Sequence, residues 1–117
     1  MWIFTPTSFI SIIQKPGQTD TLTVRARIEG DIEAVFPNAT VVANGGTDYK
    51  YRAVLPRDEV AKAVADQVMA VNYSDFKSAI KDANRHAAVM NVWAAMYLWR
   101  ANAIPAGVGA RIKRPRK

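Results

Sequence analysis

Residues 22–28 read LTVRARI. Leu22, Val24, Ala26 and Ile28 alternate with Thr23, Arg25 and Arg27. Strict alternation at period two predicts a strand with one face in a core and the other in water. A second stretch, YKYRAVL over residues 49–55, repeats the pattern: Tyr49, Tyr51, Ala53 and Leu55 alternate with Lys50, Arg52 and Val54. Parity places Arg25 and Arg27 together on one face of the first strand, and Lys50 and Arg52 together on one face of the second. With helices covering the apolar side of a shared sheet, these four cations stand on its open side.

The neighbouring sequence supplies the other elements. Phe9-Ile10-Ser11-Ile12-Ile13 is β-rich, and Lys15–Asp20 carries turn residues, so residues 9–28 read as a hairpin. Trp2–Phe4 either extends the first strand or adds a short one before Pro6. Gly30 opens a short helix whose Asp31 and Glu33 suit the positive end of the helix dipole. Pro37 ends it. Ala39–Ala43 reads as a third strand, and Asn44-Gly45-Gly46 as a hairpin turn into the strand at 49–55. Pro56 suits the first helical position of a helix striped by Val60, Val64, Val68 and Val71. Ser74 is expected to cap a short helix through Lys81, with Phe76 and Ile80 inward.

The last helix, DANRHAAVMNVWAAMYLWRAN over 82–102, holds no glycine or proline. Val89, Val92, Trp93, Met96 and Tyr97 follow the spacing of one helical face. This helix is expected to be the pillar on which the rest packs. The element order is β-β-α-β-β-α-α-α, and its two β-β-α blocks echo one another at a spacing of about 27 residues: Arg25-Ala26 answers Arg52-Ala53, and Asp31 answers Asp58. The expected fold is α+β: a four-stranded antiparallel sheet from two ββα-like units, helices packed on one face, and a long C-terminal helix. Residues 1–104 are expected to form a single domain, and 105–117 a disordered basic tail.

The charge is unevenly placed. The net charge is +6, from sixteen Lys and Arg against ten Asp and Glu. Arg111, Lys113, Arg114, Arg116 and Lys117 supply five of those cations, which leaves eleven basic against ten acidic residues before them. The body therefore lacks the overall basic excess of many nucleic-acid-binding domains. No cysteine is present, which excludes disulfides and thiolate chemistry. The apolar start breaks at Pro6 without a basic n-region or a small-residue cleavage site. No apolar run reaches the roughly 20 residues needed to span a bilayer. A cytoplasmic protein is the expectation.

Several short motifs carry a resemblance: Met1-Trp2-Ile3-Phe4-Thr5, Phe9-Ile10-Ser11-Ile12, Val24-Arg25-Ala26-Arg27, Asp48-Tyr49-Lys50-Tyr51-Arg52, Tyr73-Ser74-Asp75-Phe76-Lys77 and Val92-Trp93-Ala94-Ala95-Met96-Tyr97. With these the chain resembles a family of small uncharacterised proteins of bacteria and phages, actinobacteriophages included. The motifs span residues 1 to about 98. The resemblance implies a compact intracellular accessory protein and carries over no activity and no functional residue.

Candidate functional residues fall into five groups. Arg25, Arg27, Lys50 and Arg52 on an open sheet face could track a nucleic-acid backbone, although the parity above sets Tyr49 and Tyr51 on the opposite face, away from any stacking role. Solvated strands carry such cations in any case. Arg111, Lys113, Arg114, Arg116 and Lys117 form a polyanion-binding run. His86 lies one turn after Asp82, a spacing that a surface pair explains as well as catalysis does. The paired acids Asp31/Glu33 and Asp58/Glu59 read as helix starts. On the last helix, Trp93 and Tyr97 read as core. Leu98 and Trp99 lie off the main stripe and read as anchors for a protein partner or a second copy of the chain. The function expected first is a non-enzymatic binding protein, a phage accessory protein engaging a host protein through Leu98 and Trp99, with no cofactor and no metal. Nucleic-acid binding is the alternative.

Overall fold

The structure, a computed structural model, describes residues 1–43 and 48–102. It divides into two compact units, Met1–Ala79 and the segment from Ile80 onward. The first holds strands β1 (Trp2–Thr5), β2 (Ser8–Ile13), β3 (Thr21–Ala26), β4 (Val42–Ala43) and β5 (Tyr51–Pro56), with helices α1 (Asp31–Val35), α2 (Arg57–Met69) and α3 (Phe76–Ala79). The second holds α4 (Ala83–Asn102).

The five strands form one antiparallel sheet in the order β1-β2-β3-β5-β4. The expected four strands become five because Trp2–Thr5 folds back on β2 as a separate strand. Pro6 and Thr7 make the two-residue connection, with Thr5 opposite Ser8. The hydroxyls of those two residues lie 2.7 Å apart, and the Thr7 N–H donates to Thr5 Oγ1 at 3.2 Å. The hairpin of β2 and β3 and the hairpin of β4 and β5 meet along β3 and β5. There Arg25 faces Arg52 directly, which is the register the 27-residue echo requires of two blocks turned about their shared centre. The third strand is shorter than expected, Val42–Ala43 in place of Ala39–Ala43. The expected turn at Asn44–Thr47 lies outside the described residues.

Period-two parity sorts the core. Ile10, Ile12, Val24, Ala26 and Ala53 share one side of the sheet and pack on Ile32, Val35, Phe36 and Val60 from α1, its C-terminal cap and α2. Gly30 is the N-cap of α1 at φ 93°, a left-handed conformation that L side chains rarely adopt. Asp31 does more than favour the helix dipole. It is buried, and its carboxylate accepts the backbone N–H of Phe9 at 2.9 Å. Strand β3 stops at Ala26, so Phe9 has no ladder partner on that side, and Asp31 replaces it.

Three expectations for the core need correction. Ile28 lies past the end of β3 and is 57% exposed. On α2, Val60 is buried and Val64 half-buried, whereas Val68 is exposed, as is Val71 beyond the helix end, so the stripe packs only over its first turns. On α4, Val92, Trp93, Met96 and Tyr97, expected to be buried, are all exposed. The core of the first unit is the sheet with α1 and α2.

The short helix and the long one are separate. Asp75, rather than Ser74, caps α3, accepting from the Lys77 N–H at 3.2 Å and the Ser78 hydroxyl at 2.6 Å. Asp82 caps α4, its carboxylate accepting from the Asn84 N–H at 2.9 Å.

Replacing Ile10 by Ala is expected to destabilise the protein by about 2–5 kcal/mol in urea denaturation, the range for a buried aliphatic cut to Ala. Ile28→Ala should stay within about 0.5 kcal/mol. Asp31→Ala leaves the Phe9 N–H unsatisfied and should cost about 1–3 kcal/mol by the same measurement.

Candidate nucleic-acid interface

The side of the sheet away from α1 and α2 is built by the same alternation that makes the core. Residue pairs across the strands fix its rows. One row runs Trp2, Ser11, Arg25, Arg52 and Val42 from β1 to β4. A second begins with Phe4 opposite Phe9, and continuing the β2–β3 register two residues past Ser11 and Arg25 sets Arg27 beside Phe9.

The N-terminus explains why the aromatics meet. Met1 and Ile12 exchange both backbone bonds, at 2.9 and 2.8 Å. Pairs alternate along an antiparallel ladder, so Trp2/Ser11 and Phe4/Phe9 are the non-hydrogen-bonded pairs, whose side chains lie closer together. Phe4 and Phe9 stack at 4.5 Å between ring centroids, 18° from parallel. Trp2 stands edge-on to both, 5.3 Å from Phe9 and 6.5 Å from Phe4, with 60% of its surface exposed.

Tyr49 joins the aromatic patch to the cations. It precedes β5, so strand parity does not bind it, and it is buried on the open side rather than in the core cluster. The guanidinium of Arg25 lies 4.2 Å from its ring centroid and that of Arg27 4.4 Å. Arg27 also lies 5.5 Å from the Phe9 ring. Arg25 donates to the Ser11 hydroxyl at 2.8 Å, while its Nε is buried without a hydrogen-bond partner. Arg52 donates to the Tyr49 carbonyl at 3.3 Å. The expected separation of aromatics from cations holds for Tyr51, which packs against the core, and is overturned for Tyr49: Trp2, Phe4, Phe9 and Tyr49 share a face with Arg25, Arg27 and Arg52.

Arg27 and Asp48 form a two-pronged ion pair, with nitrogen–oxygen distances of 2.8 and 2.6 Å. The hydrogen bonds from Arg27 hold the Asp48 carboxyl below its ordinary value, against desolvation and with help from the charges of Arg27 and Arg25. The same pairing raises Arg27.

Other expected residues lie elsewhere. Lys50 is exposed, with its ammonium 5.8 Å from the Tyr51 ring and not in the arginine cluster. Leu98 and Trp99 are exposed on α4, and Trp93 and Tyr97, expected in the core, stack on each other at 5.4 Å on its surface. The Asp82 carboxylate is engaged by backbone N–H groups at the start of α4, not by the imidazole of His86. Arg111, Lys113, Arg114, Arg116 and Lys117 lie outside the described residues. Among the described residues no group of three or more His, Asp or Glu could hold a metal ion, and no helix is long and apolar enough to cross a membrane.

Sequence reasoning missed Trp2, Phe4, Phe9 and Asp48. The alternation of Phe9, Ser11 and Ile13 with Ile10 and Ile12 was a usable signal, since it sends Phe9 away from the core. Comparison with protein-family models, with curated proteins and with solved structures returned no match. The family resemblance therefore rests on the quoted motifs alone.

Asp48 supports a pH prediction. Its folded value lies below its unfolded one, so its stabilising contribution is present above the ordinary carboxylate value of 3.8 and lost as pH falls through the folded value. Arg27→Gln should move the Asp48 titration midpoint up toward that ordinary value, read from its side-chain carboxyl carbon by NMR.

Proposed function

We propose that the protein is a non-enzymatic nucleic-acid-binding module and that the open face of its sheet contacts the phosphate backbone. One observation carries this reading: Arg25 and Arg52 stand directly opposite each other across the two central strands, with Arg27 two residues further along. Like charges in directly opposed positions destabilise a sheet by roughly 0.2–1 kcal/mol. A bound phosphate turns that repulsion into shared attraction, because guanidiniums bind phosphate oxygens through charge-assisted, two-pronged hydrogen bonds. Salt-sensitive affinity follows from release of the ions condensed on the nucleic acid. The basic run at 111–117 adds a sequence-independent contribution of the same kind.

A second reading has its own support. Val92, Trp93, Met96, Tyr97, Leu98 and Trp99 are all exposed within about two turns of α4. Apolar surface of that density suits a protein partner or a second copy of the chain. In this reading the protein is an accessory factor, and the resemblance to phage proteins points to a host protein as the partner.

Fluorescence anisotropy with labelled oligonucleotides tests the first reading. Arg25→Gln and Arg52→Gln should each weaken binding about tenfold and reduce the slope of log affinity against log salt by about 0.7 per lost contact on a single strand. A full-length variant with Arg111, Lys113, Arg114, Arg116 and Lys117 all changed to Gln should keep this dependence on Arg25 and Arg52. If that variant does not bind, the sheet face is not the interface. Light scattering that reports a dimer dissociated by Leu98→Glu would support the second reading.

A further inference from the structure

The open face offers more than charge. Resting on the nucleic-acid reading above, we infer that its ligand is a single strand with unpaired bases, one base stacking on Trp2 while the neighbouring phosphates lie on Arg25 and Arg27. Phosphate recognition alone calls for cations and hydroxyls. Here three aromatic rings from two strands stand in the same rows as the guanidiniums. Trp2 is edge-on to Phe9 at 88° and to Phe4 at 84°. Trp2 keeps 60% of its surface exposed, so indole surface is available to a base, braced by the stacked pair of Phe4 and Phe9.

The spacing suits one nucleotide unit. Trp2 and Arg25 occupy the same row, two strands apart, which is about 10 Å at the usual distance between neighbouring strands. A base on Trp2 places its sugar over Ser11 and a flanking phosphate within reach of Arg25. Arg27, on the Phe9 row, can take the other phosphate when Asp48 releases it. In a duplex the flat faces of the bases are stacked on one another inside the helix, so this surface has nothing to stack on. Base–aromatic stacking is tolerant of sequence, because every base has a π-face. Strong sequence preference is therefore not expected.

The test uses the full chain and four probes of equal length: oligo-dT, oligo-U, an abasic DNA strand of the same charge, and a blunt DNA duplex. Binding to oligo-dT or oligo-U at least tenfold tighter than to the duplex and the abasic strand is the expected result, and the two single strands show whether the ribose 2′-hydroxyl matters. Trp2→Ala should weaken binding to oligo-dT about tenfold, leave the abasic strand unaffected, and be rescued in part by Trp2→Phe. Trp2 is exposed, so these variants are expected to fold. In a protein carrying Trp93→Phe and Trp99→Phe, oligo-dT should quench the remaining indole fluorescence. Equal affinity for the abasic strand and oligo-dT, or a preference for the duplex, overturns the inference while leaving the phosphate-binding reading in place. No binding to any of the four probes overturns both.

Discussion

The pairing of Thr21–Ala26 with Tyr51–Pro56 fixes which side of the sheet every central residue faces. Side chains alternate with a period of two, so a slip of one residue would send Arg25 or Arg52 into the core and Val24 or Ala53 into water. Burying a guanidinium away from a partner costs several kcal/mol, and a valine brought out of the core loses roughly 1.5–3 kcal/mol. Against these amounts, the repulsion between Arg25 and Arg52 is small at roughly 0.2–1 kcal/mol. The register is therefore held by the apolar side of the sheet, and the clustering of cations on the other side is its consequence.

A second constraint places the aromatic patch relative to those cations. Strand β3 ends at Ala26 and leaves the N–H of Phe9 facing the chain that leads into α1. The Asp31 carboxylate closes that gap at 2.9 Å. The first residue of a core-packed helix thus anchors the backbone of a residue whose side chain lies on the opposite surface. Phe9 in turn stacks on Phe4 of β1 and flanks Arg27. Without β1 the sheet would present its arginines with Phe9 and Tyr49 and no exposed ring. With it, the open face gains the Phe4 ring and an indole in register with the guanidiniums.

The sequence made the α+β class and antiparallel sheet legible, together with the hairpin of β2 and β3 and the faces of Arg25 and Arg52, because alternation is a local property. It left Trp2–Phe4 open between an extension of the next strand and a strand of its own. Trp2-Ile3-Phe4 is too short to show a period, and the turn at Pro6-Thr7 lacks the Asn-Gly or Asp-Gly signature of a tight hairpin. Tyr49 was misplaced because parity was counted from a strand start two residues early; β5 begins at Tyr51, and outside the ladder a residue is free to turn either way. The long helix misled for a different reason. Its apolar spacing records where bulk lies around the helix, and says nothing of whether another element covers it. Val92, Trp93, Met96 and Tyr97 keep the predicted spacing and are nonetheless exposed.

Two surfaces of this protein hold features that folding alone does not call for, and they differ in kind. The exposed side chains on the second half of α4 are mainly apolar, with the Arg100 guanidinium 5.4 Å from the Tyr97 ring, which is sufficient for docking against another protein surface. The sheet face combines an opposed arginine pair, which weakens the sheet, with an exposed tryptophan, which leaves apolar area in water. Local rules broken together at one place mark a site where something other than stability is being served. A simple polyanion would reward the arginines and leave the indole idle; an apolar protein surface would reward the indole and leave three cations to be desolvated. A strand of nucleotides, anionic along its backbone and flat and aromatic along its bases, would engage both, which is the ground for the proposal.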